Sequence, residues 1–217
     1  MSDDTPDDSK LTRTKQRWAD EGRFITGRTS RPETERLPPG QHLVKNWPVL
    51  DLGIEPSIAL PSWRLDIDGA VEAPVALNWA AFSGLPQVER ISDIHCVTSW
   101  SRYDNHWTGV STQDLAAHAG IRADARFAVL TSHDGYTTNL ALADFLSDDA
   151  LLAHSWEGQA LSGEHGGPVR LVVPHLYLWK SAKWLRRIEF TTSDHKGFWE
   201  VRGYHNHGDP WLEQRYS

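Results

Sequence analysis

Hydrophobic and polar positions alternate along several short stretches of the chain. Trp63, Leu65 and Ile67, for example, are separated by charged residues. This period of two is typical of a strand with one buried face, because successive strand side chains point to opposite sides. The predicted strands cover about 63–67, 75–77, 88–95, 126–131, 136–140, 151–156, 159–161, 169–173 and 184–190. Pro174 ends the strand at 173, since proline cannot donate to a sheet.

The helices that the pattern predicts are short. They cover about 79–82, 112–119 and 141–146. Asn78 is expected to cap the first, and either Ser111 or Thr112 the second, because these side chains accept a hydrogen bond from the first turn. Gly120 is the expected end of the second helix. Short strands with interspersed short helices predict an α+β domain of mixed sheets.

The N-terminal residues differ in character from the rest of the chain. Residues 1–36 contain acids and bases in equal number, few large apolar side chains and no clear period. Such a composition buries too little apolar surface to order itself, so we expect a flexible segment. Proline and glycine at 38–40 then mark the entry to the domain. The predicted organisation is a flexible segment at 1–36 followed by one domain at 37–217.

Composition and charge exclude several classes of protein. The 217 residues are 39% hydrophobic and 24% charged, with a net charge of −7. A nucleic-acid partner or an anionic membrane surface would require a basic face. No apolar run approaches the length of a membrane span, and residues 1–10 do not form a secretory signal. We expect a cytoplasmic protein, which also suits an unpaired cysteine.

Cys96 is the only cysteine, so the chain cannot form an internal disulfide or a multi-thiolate metal site. A free cysteine usually acts as a small buried hydrophobe. Here, however, residues 98–107 are polar and aromatic, as in the wall of a pocket, and several of the eleven tryptophans are expected to line a site. Arg102 and nearby histidines could stabilise a thiolate by their charge.

Two further stretches are suited to an anion. Residues 163–170 place two glycines before Pro168, which predicts a rigid bend that ends at Arg170. Residues 179–184 place Lys180 and Lys183 with a serine between two tryptophans. Ammonium groups, a hydroxyl and backbone amides together can bind a phosphate.

The segment at 95–101 reads His-Cys-Val-Thr-Ser-Trp-Ser and resembles the molybdenum-ligand segment of the sulfite-oxidase superfamily. The likeness is greatest to its small bacterial sulfite oxidase-like branch. Residues 163–170 and 179–184 are similar to the family's molybdopterin-contacting segments, in the same order, and the likeness covers about 37–217. The resemblance implies a sulfite-oxidase-type molybdopterin-binding domain. The family's C-terminal dimerisation domain would not fit in this length, so we expect a monomer.

The resemblance also assigns roles to residues. It implies that Cys96 supplies the one protein bond to molybdenum, with Arg102 as its catalytic neighbour. The residues implied to contact molybdopterin are His165, Arg170, Ser181, Ala182 and Lys183, together with Ser132, Lys45 and Asn46. Ser99 departs from the family, whose close members usually have arginine there. This departure weakens a sulfite assignment.

The implied reaction is oxygen-atom transfer to or from a small sulfur or nitrogen compound, by sulfite oxidation or by S-oxide or N-oxide reduction. No cysteine cluster could hold an iron–sulfur centre, so the electron partner is expected to be a separate protein or small carrier. Two other classes stay open. One is a non-catalytic molybdopterin carrier, and the other is a zinc-dependent hydrolase that uses histidines such as His205 and His207.

Overall fold

The computed structural model describes residues 35–53 and 55–217, which form two β-sheets with short helices. The strands are β1 His42–Leu43, β2 Arg64–Gly69, β3 Val75–Asn78, β4 Val88–His95, β5 Trp100–Ser111, β6 Phe127–Ser132, β7 Thr137–Ala141, β8 Leu151–Trp156, β9 Gln159–Ala160, β10 Arg170–Val172 and β11 Leu185–Thr191. The helices are α1 Trp79–Ser83, α2 Thr112–Ala119 and α3 Leu142–Phe145, with 3-10 turns at Leu60–Ser62, Leu178–Lys180 and Glu200–Arg202. The α+β prediction is confirmed.

The first sheet is organised around β5. Strand β4 runs antiparallel to it, from the Val88–Gly109 pair to the His95–Ser101 pair. On the other edge, β1 lies parallel to the start of β5 and β8 lies antiparallel to its end. Strands β10 and β9 both pair with β8. Because β4 and β5 are consecutive, Cys96 lies in the turn that joins them.

The second sheet has the order β3-β2-β11-β6-β7. Strand β11 is parallel to β2 and antiparallel to β6. In β2 the side chains of Leu65 and Ile67 are fully buried, whereas those of Arg64 and Asp66 are exposed. The alternation along the sequence is therefore the alternation between core and solvent.

The larger hydrophobic core contains side chains from both sheets. Leu65 and Ile188 of the second sheet pack in the same cluster as Val110, Leu152 and Leu171 of the first. A smaller cluster contains Cys96 with several tryptophans, namely Trp47, Trp100 and Trp107. Burial of this apolar surface stabilises the fold by roughly 25 cal/mol per Å². The smaller cluster packs around Cys96 and stabilises the part of the first sheet that lies next to it.

The predicted helix ends are confirmed. The side chain of Asn78 accepts a hydrogen bond from the Ala81 amide at 2.8 Å. Ser111, rather than Thr112, caps α2, since its hydroxyl accepts from the Asp114 amide at 3.0 Å. Gly120 ends this helix in the left-handed region, with a φ of 63°.

The sequence pattern does not predict strand β5, because its polar residues are typical of a pocket wall. Asn105 is buried in the strand, and its amide donates to the carbonyl oxygen of Ser92 at 3.0 Å. The indole of Trp107 donates to the Ser92 hydroxyl at 3.0 Å. Buried polar groups are tolerated in a sheet when such bonds satisfy them. Only the pairing with β4 supplies these partners, so the sequence pattern of β5 alone is misleading.

Most of the predicted flexible segment, residues 1–34, lies outside the described residues. Arg36, at its end, contacts Asp93 at 2.6 Å and Asp104 at 2.8 Å and therefore ties the start of the described chain to the β4–β5 hairpin. Within residues 35–53 and 55–217, no helix has both the length and the apolar character needed to cross a membrane.

Candidate functional site

A cavity of about 260 Å³ opens where the β4–β5 turn, the bend before β10 and the loop before β11 meet. The predicted site residues that line it are Cys96, Ser132, His165, Arg170, Ser181 and Lys183. They come from separate parts of the chain and both sheets contribute to their placement. The fold thus brings together the three segments that the sequence singled out.

Cys96 begins a tight turn of residues 96–99, which we call the Cys96 turn. The Cys96 amide donates to the Trp100 carbonyl at 2.8 Å, and the Ser99 amide donates to the Cys96 carbonyl at 3.0 Å. Ser99 adopts a left-handed conformation with a φ of 73°, which is uncommon for a residue with a side chain. The turn therefore holds Cys96 in a fixed direction against the cavity.

The Cys96 sulfur is almost covered, since the residue is only 5% exposed. Burial raises the pKa of the Cys96 thiol, although the hydrogen bond with Thr98, whose hydroxyl oxygen is 3.1 Å from the sulfur, opposes this shift. A metal ligand must be deprotonated, so a cation that binds here must displace the thiol proton.

Arg170 is the most deeply buried cation of the cavity wall, at 3% exposure. Its guanidinium donates to the carbonyl oxygens of His165 at 2.8 Å and Ser181 at 2.9 Å. These partners are neutral, and burial lowers the pKa of Arg170 to about 9. A buried cation whose described partners are neutral is stabilised further when an anion binds beside it.

Lys183 lies near Arg170 and adds a second positive charge. Its ammonium group donates to the Glu164 carbonyl at 2.7 Å, and burial followed by repulsion from Arg170 lowers the pKa of Lys183 to about 8. Gly166 lets the bend approach this lysine, since its φ is +103° and an added Cβ would lie 2.9 Å from the Lys183 Cβ. The two cations form a site for a phosphate or a similar anion.

Two further predicted residues provide polar groups to the cavity. The buried Ser132 hydroxyl has no hydrogen-bond partner in the structure, so a ligand in the cavity could satisfy it. The Ser181 hydroxyl accepts from the Val173 amide at 3.0 Å, which holds the loop in place. Asp51 and Asp134 also line the cavity, so an anionic, hydrogen-bonding ligand fits the part of the wall that Arg170 and Lys183 form.

His165 lies against Trp47, a residue that sequence reasoning did not assign to the site. Their rings stack with centroids 4.0 Å apart. His165 Nε2 is 3.2 Å from the Trp47 carbonyl oxygen, so this nitrogen donates, and Nδ1 can accept from the Ser162 hydroxyl at 2.9 Å. Burial lowers the pKa of His165, so its ring is neutral at pH 7. The abundance of tryptophan was the only sequence signal for Trp47.

Tyr204 is a second lining residue that the sequence reasoning did not assign. Its ring stacks on Trp199 at 4.8 Å and meets Trp179 edge-on at 5.1 Å. Burial raises the pKa of the Tyr204 hydroxyl, as do the nearby Tyr216 and Cys96. The hydroxyl thus keeps its proton at neutral pH and shares a hydrogen bond with Tyr216. Because Tyr204 lines the cavity, this hydroxyl is a candidate donor to a bound ligand.

The remaining predicted site residues do not line the described cavity. Arg102 donates to the Lys45 carbonyl at 3.2 Å and lies over the Trp156 ring at 4.7 Å, with Glu157 at 3.2 Å. Lys45 and Asn46 are exposed, and Ala182 is buried with its carbonyl accepting from the Leu171 amide.

Lys180 does not occupy the anion-binding position predicted for it together with Lys183. Its ammonium group is 2.7 Å from Glu200, and both side chains are fully buried. Burial lowers the pKa of Lys180, while Glu200 opposes that shift. Because Lys180 is neutralised by Glu200, it supports the fold behind Trp179 and leaves Lys183 to face the cavity.

The histidines suggested for a zinc site are otherwise engaged. His205 Nδ1 accepts from the backbone amides of His207 and Gly208, and His207 lies 3.3 Å from Asp144. Within the part of the chain that the structure describes, no group of three or more His, Cys, Asp or Glu residues could hold a metal ion. The geometry gives the zinc-hydrolase alternative no support there.

Comparison with known families agrees with the cavity. Residues 52–199 match the family described as the oxidoreductase molybdopterin-binding domain. The chain belongs to this family. It is thus a molybdopterin-dependent oxidoreductase, and the cationic wall and free hydroxyl fit a phosphate-bearing pterin.

Three individual proteins show the extent of similarity to this chain. The uncharacterized oxidoreductase YuiH of Bacillus subtilis is 46% identical over 85% of this chain and 94% of that protein. The putative protein-methionine-sulfoxide reductase subunit YedZ1 of Azospira oryzae is 30% identical over 66% of this chain. The protein-methionine-sulfoxide reductase catalytic subunit MsrP of Campylobacter jejuni is 31% identical over 64%. The matches span 54% and 52% of those two relatives, about half of their length.

A solved structure supports the fold of this family member. The sulfane dehydrogenase SoxCD from Paracoccus pantotrophus has a TM-score of 0.59, is 22% identical and covers 64% of this chain and 40% of that one. At this identity the likeness concerns the fold alone. The expectation of a sulfite-oxidase-type domain of mixed sheets is confirmed.

Proposed function

We propose that this oxidoreductase reduces neutral S-oxides, with Cys96 as the protein ligand of molybdenum. The balanced reaction consumes one S-oxide, two electrons and two protons and releases one thioether and one water. The S=O bond breaks, and both protons end on the departing oxygen. The electrons would come singly from a separate donor, because no second redox centre is built from the described residues.

The distribution of charge in the cavity is the observation that supports this choice. The cations Arg170 and Lys183 lie together on the wall formed by the bend and the loop before β11. The lining residues beside Cys96 are the neutral Val97, Thr98 and Trp100. The nearby Arg215 guanidinium is not among the lining residues, since it donates to the Val97 carbonyl. An oxyanion such as sulfite is best bound by arginine forks. A neutral S=O group needs only a hydrogen-bond donor.

The mouth of the cavity suits an apolar substituent on the sulfur. Val49, Leu50 and Leu52 line the cavity and are 39%, 53% and 38% exposed. Exposed apolar side chains beside a polar cavity are typical of a binding surface. The sulfoxide-reductase names of two relatives support the same substrate class, which includes methionine sulfoxide.

The residues of the chain would divide the work as follows. Arg170 and Lys183 would bind the pterin phosphate, and the Ser132 hydroxyl would gain its missing partner there. The Cys96 thiolate would bind molybdenum, because a thiolate is a soft donor that suits a metal otherwise bound by dithiolene sulfurs. When bound, the molybdenum centre supplies two-electron oxygen-atom transfer. Tyr204 would donate a hydrogen bond to the substrate oxygen as negative charge develops on it.

A substrate screen on cofactor-loaded protein tests the proposal. Dimethyl sulfoxide, methionine sulfoxide and trimethylamine N-oxide are each assayed with reduced methyl viologen as the electron donor. Sulfite is assayed with ferricyanide as the electron acceptor. We expect S-oxides to give a kcat/KM at least tenfold above that for the N-oxide or sulfite. Faster sulfite oxidation, faster N-oxide reduction, or pterin binding without any turnover would contradict the proposal.

A ligand variant completes the test. Cys96→Ser should lose oxygen-atom transfer while the protein stays folded and keeps much of its pterin, because the cationic wall is unchanged. Turnover of S-oxides is measured beside circular dichroism and pterin content. Full turnover by this variant would show that Cys96 is not the ligand.

A further inference from the structure

Residues 203–217, which we call the C-terminal segment, lie beyond the residues that match the family, 52–199. The segment nevertheless contacts the Cys96 turn. The Arg215 guanidinium donates to the Val97 carbonyl and lies 3.4 Å from the Ser99 hydroxyl. It also lies 5.2 Å from the centroid of the Tyr177 ring. One side chain from outside the matched region thus contacts two residues of the Cys96 turn.

Several groups hold the Cys96 turn, and each acts at a different carbonyl. The buried Gln41 amide donates to the Cys96 carbonyl at 3.1 Å. The His42 amide donates to the Ser99 carbonyl at 3.0 Å. The Val97 carbonyl, next to Cys96, is bound by Arg215. Without the guanidinium, this partly buried carbonyl would need another partner or would move toward water.

The C-terminal segment is itself well anchored, so Arg215 is presented from a fixed position. The His205 amide donates to the Arg215 carbonyl at 3.2 Å, and the Arg215 amide donates to the Glu213 carbonyl at 2.7 Å. Tyr204 and Tyr216 form a β-bridge beside it. The Trp211 indole donates to the Glu35 carbonyl at 2.9 Å. Because the backbone of Arg215 is held by these bonds, its side chain reaches the Cys96 turn from a fixed position.

We propose that Arg215 is a positioning residue that holds the Cys96 turn so that the sulfur faces the bound molybdenum. The inference rests on the proposed role of Cys96 as the metal ligand. The planar guanidinium can bind the Val97 carbonyl and the Ser99 hydroxyl together, whereas an ammonium group is a point donor. Groups that orient a metal ligand matter nearly as much as the ligand itself.

The test compares Arg215→Ala and Arg215→Lys with wild-type protein loaded with its cofactor. We expect Arg215→Ala to lower kcat with an S-oxide by roughly 10–100-fold while KM changes less than about twofold. Arg215→Lys should lose less. Pterin and molybdenum content should stay near wild type, because Arg170 and Lys183 are intact. The visible absorption from thiolate-to-metal charge transfer should weaken or shift in Arg215→Ala.

Two readouts separate positioning from general stability. Millimolar guanidinium chloride, far below denaturing levels, should restore part of the kcat of Arg215→Ala by binding the vacated position. Hydrogen exchange should accelerate in a peptide covering residues 96–101 and stay unchanged in the strands of the second sheet. Arg126→Ala is the matched control, because Arg126 is exposed and donates to the Ala123 and Ala125 carbonyls at 2.7 and 2.8 Å.

The results distinguish two failures. If Cys96→Ser is inactive but Arg215→Ala matches wild type in kcat, absorption and exchange, the positioning role is wrong and the proposed function stands. If Cys96→Ser keeps full S-oxide turnover, the ligand role fails, and the inference about Arg215 fails with it. Equal losses in Arg215→Ala and Arg126→Ala, with no rescue by guanidinium, would also overturn the positioning role.

Discussion

At the scale of residues, the site depends on a few side chains whose burial changes their chemistry. Arg170 keeps its charge at pH 7 although it is 3% exposed and its pKa falls to about 9. The sequence predicted this arginine and Lys183 because their segments contain distinctive glycines, proline and lysines. It gave Lys180 the same role, because only the folded structure reveals the buried Glu200 that neutralises it. Trp47 and Tyr204 likewise reach the cavity through contacts distant in sequence.

Arg170→Ala should bind the pterin less tightly. A hydrogen bond to a charged group contributes about 1.5–3 kcal/mol, which corresponds to a loss of roughly 10–150-fold in affinity. Pterin content per chain after purification, measured by fluorescence after oxidation, checks this expectation. Arg122→Ala is the control, since Arg122 is exposed and pairs with the neighbouring Asp124. Equal pterin content in both variants would remove Arg170 from the site.

At the scale of elements, strands with period-two alternation were predicted well and strands with buried polar residues were not. Strand β2 has one apolar face, and its limits follow from the sequence. Strand β5 has its polar side chains satisfied by β4, as Asn105 is by Ser92. The sequence did place Cys96 after β4, because the polar run begins there. It could not show that the same run returns as a strand and makes the Cys96 turn rigid.

Helix α3 is linked to the turn after β10 and to the C-terminal segment by one carboxylate. Asp144 lies 3.0 Å from His175 and 3.3 Å from His207. Burial alone would lower the pKa of His175, but Asp144 and Asp149 raise it to about 9, and Asp144 also raises the pKa of His207. The pKa of each histidine is higher in the folded state, so the stabilisation of the fold by these ion pairs is complete below about pH 6.5. It is lost as the pH rises toward 9.

Asp144→Asn should therefore destabilise the protein most at pH 6 and least at pH 9.5. The pKa of Asp144 is held well below its usual range, so this carboxylate stays ionised throughout that window. Urea unfolding of wild type and variant at several pH values measures the difference. Asp124→Asn, which removes an exposed ion pair, should have an effect below about 1 kcal/mol at every pH. A difference for Asp144→Asn that does not change with pH would contradict the linkage.

At the scale of the whole molecule, two sheets pack so that loops from separate parts of the chain surround one cavity. The sequence predicted the α+β class and the three segments that meet there. It could not predict the sheet order, because the pairing of β11 with both β2 and β6 depends on long-range contacts. It also could not show that the C-terminal segment contacts the Cys96 turn. The resemblance to a family supplied the cofactor, and the geometry supplied the arrangement of charge around it.

The proposed function depends on a bond between the Cys96 sulfur and molybdenum. X-ray absorption at the molybdenum edge measures this most directly, in cofactor-loaded wild type and in Cys96→Ser purified in the same way. We expect one sulfur ligand fewer in the variant, with pterin content largely retained. The same number of sulfur ligands in both proteins would contradict it.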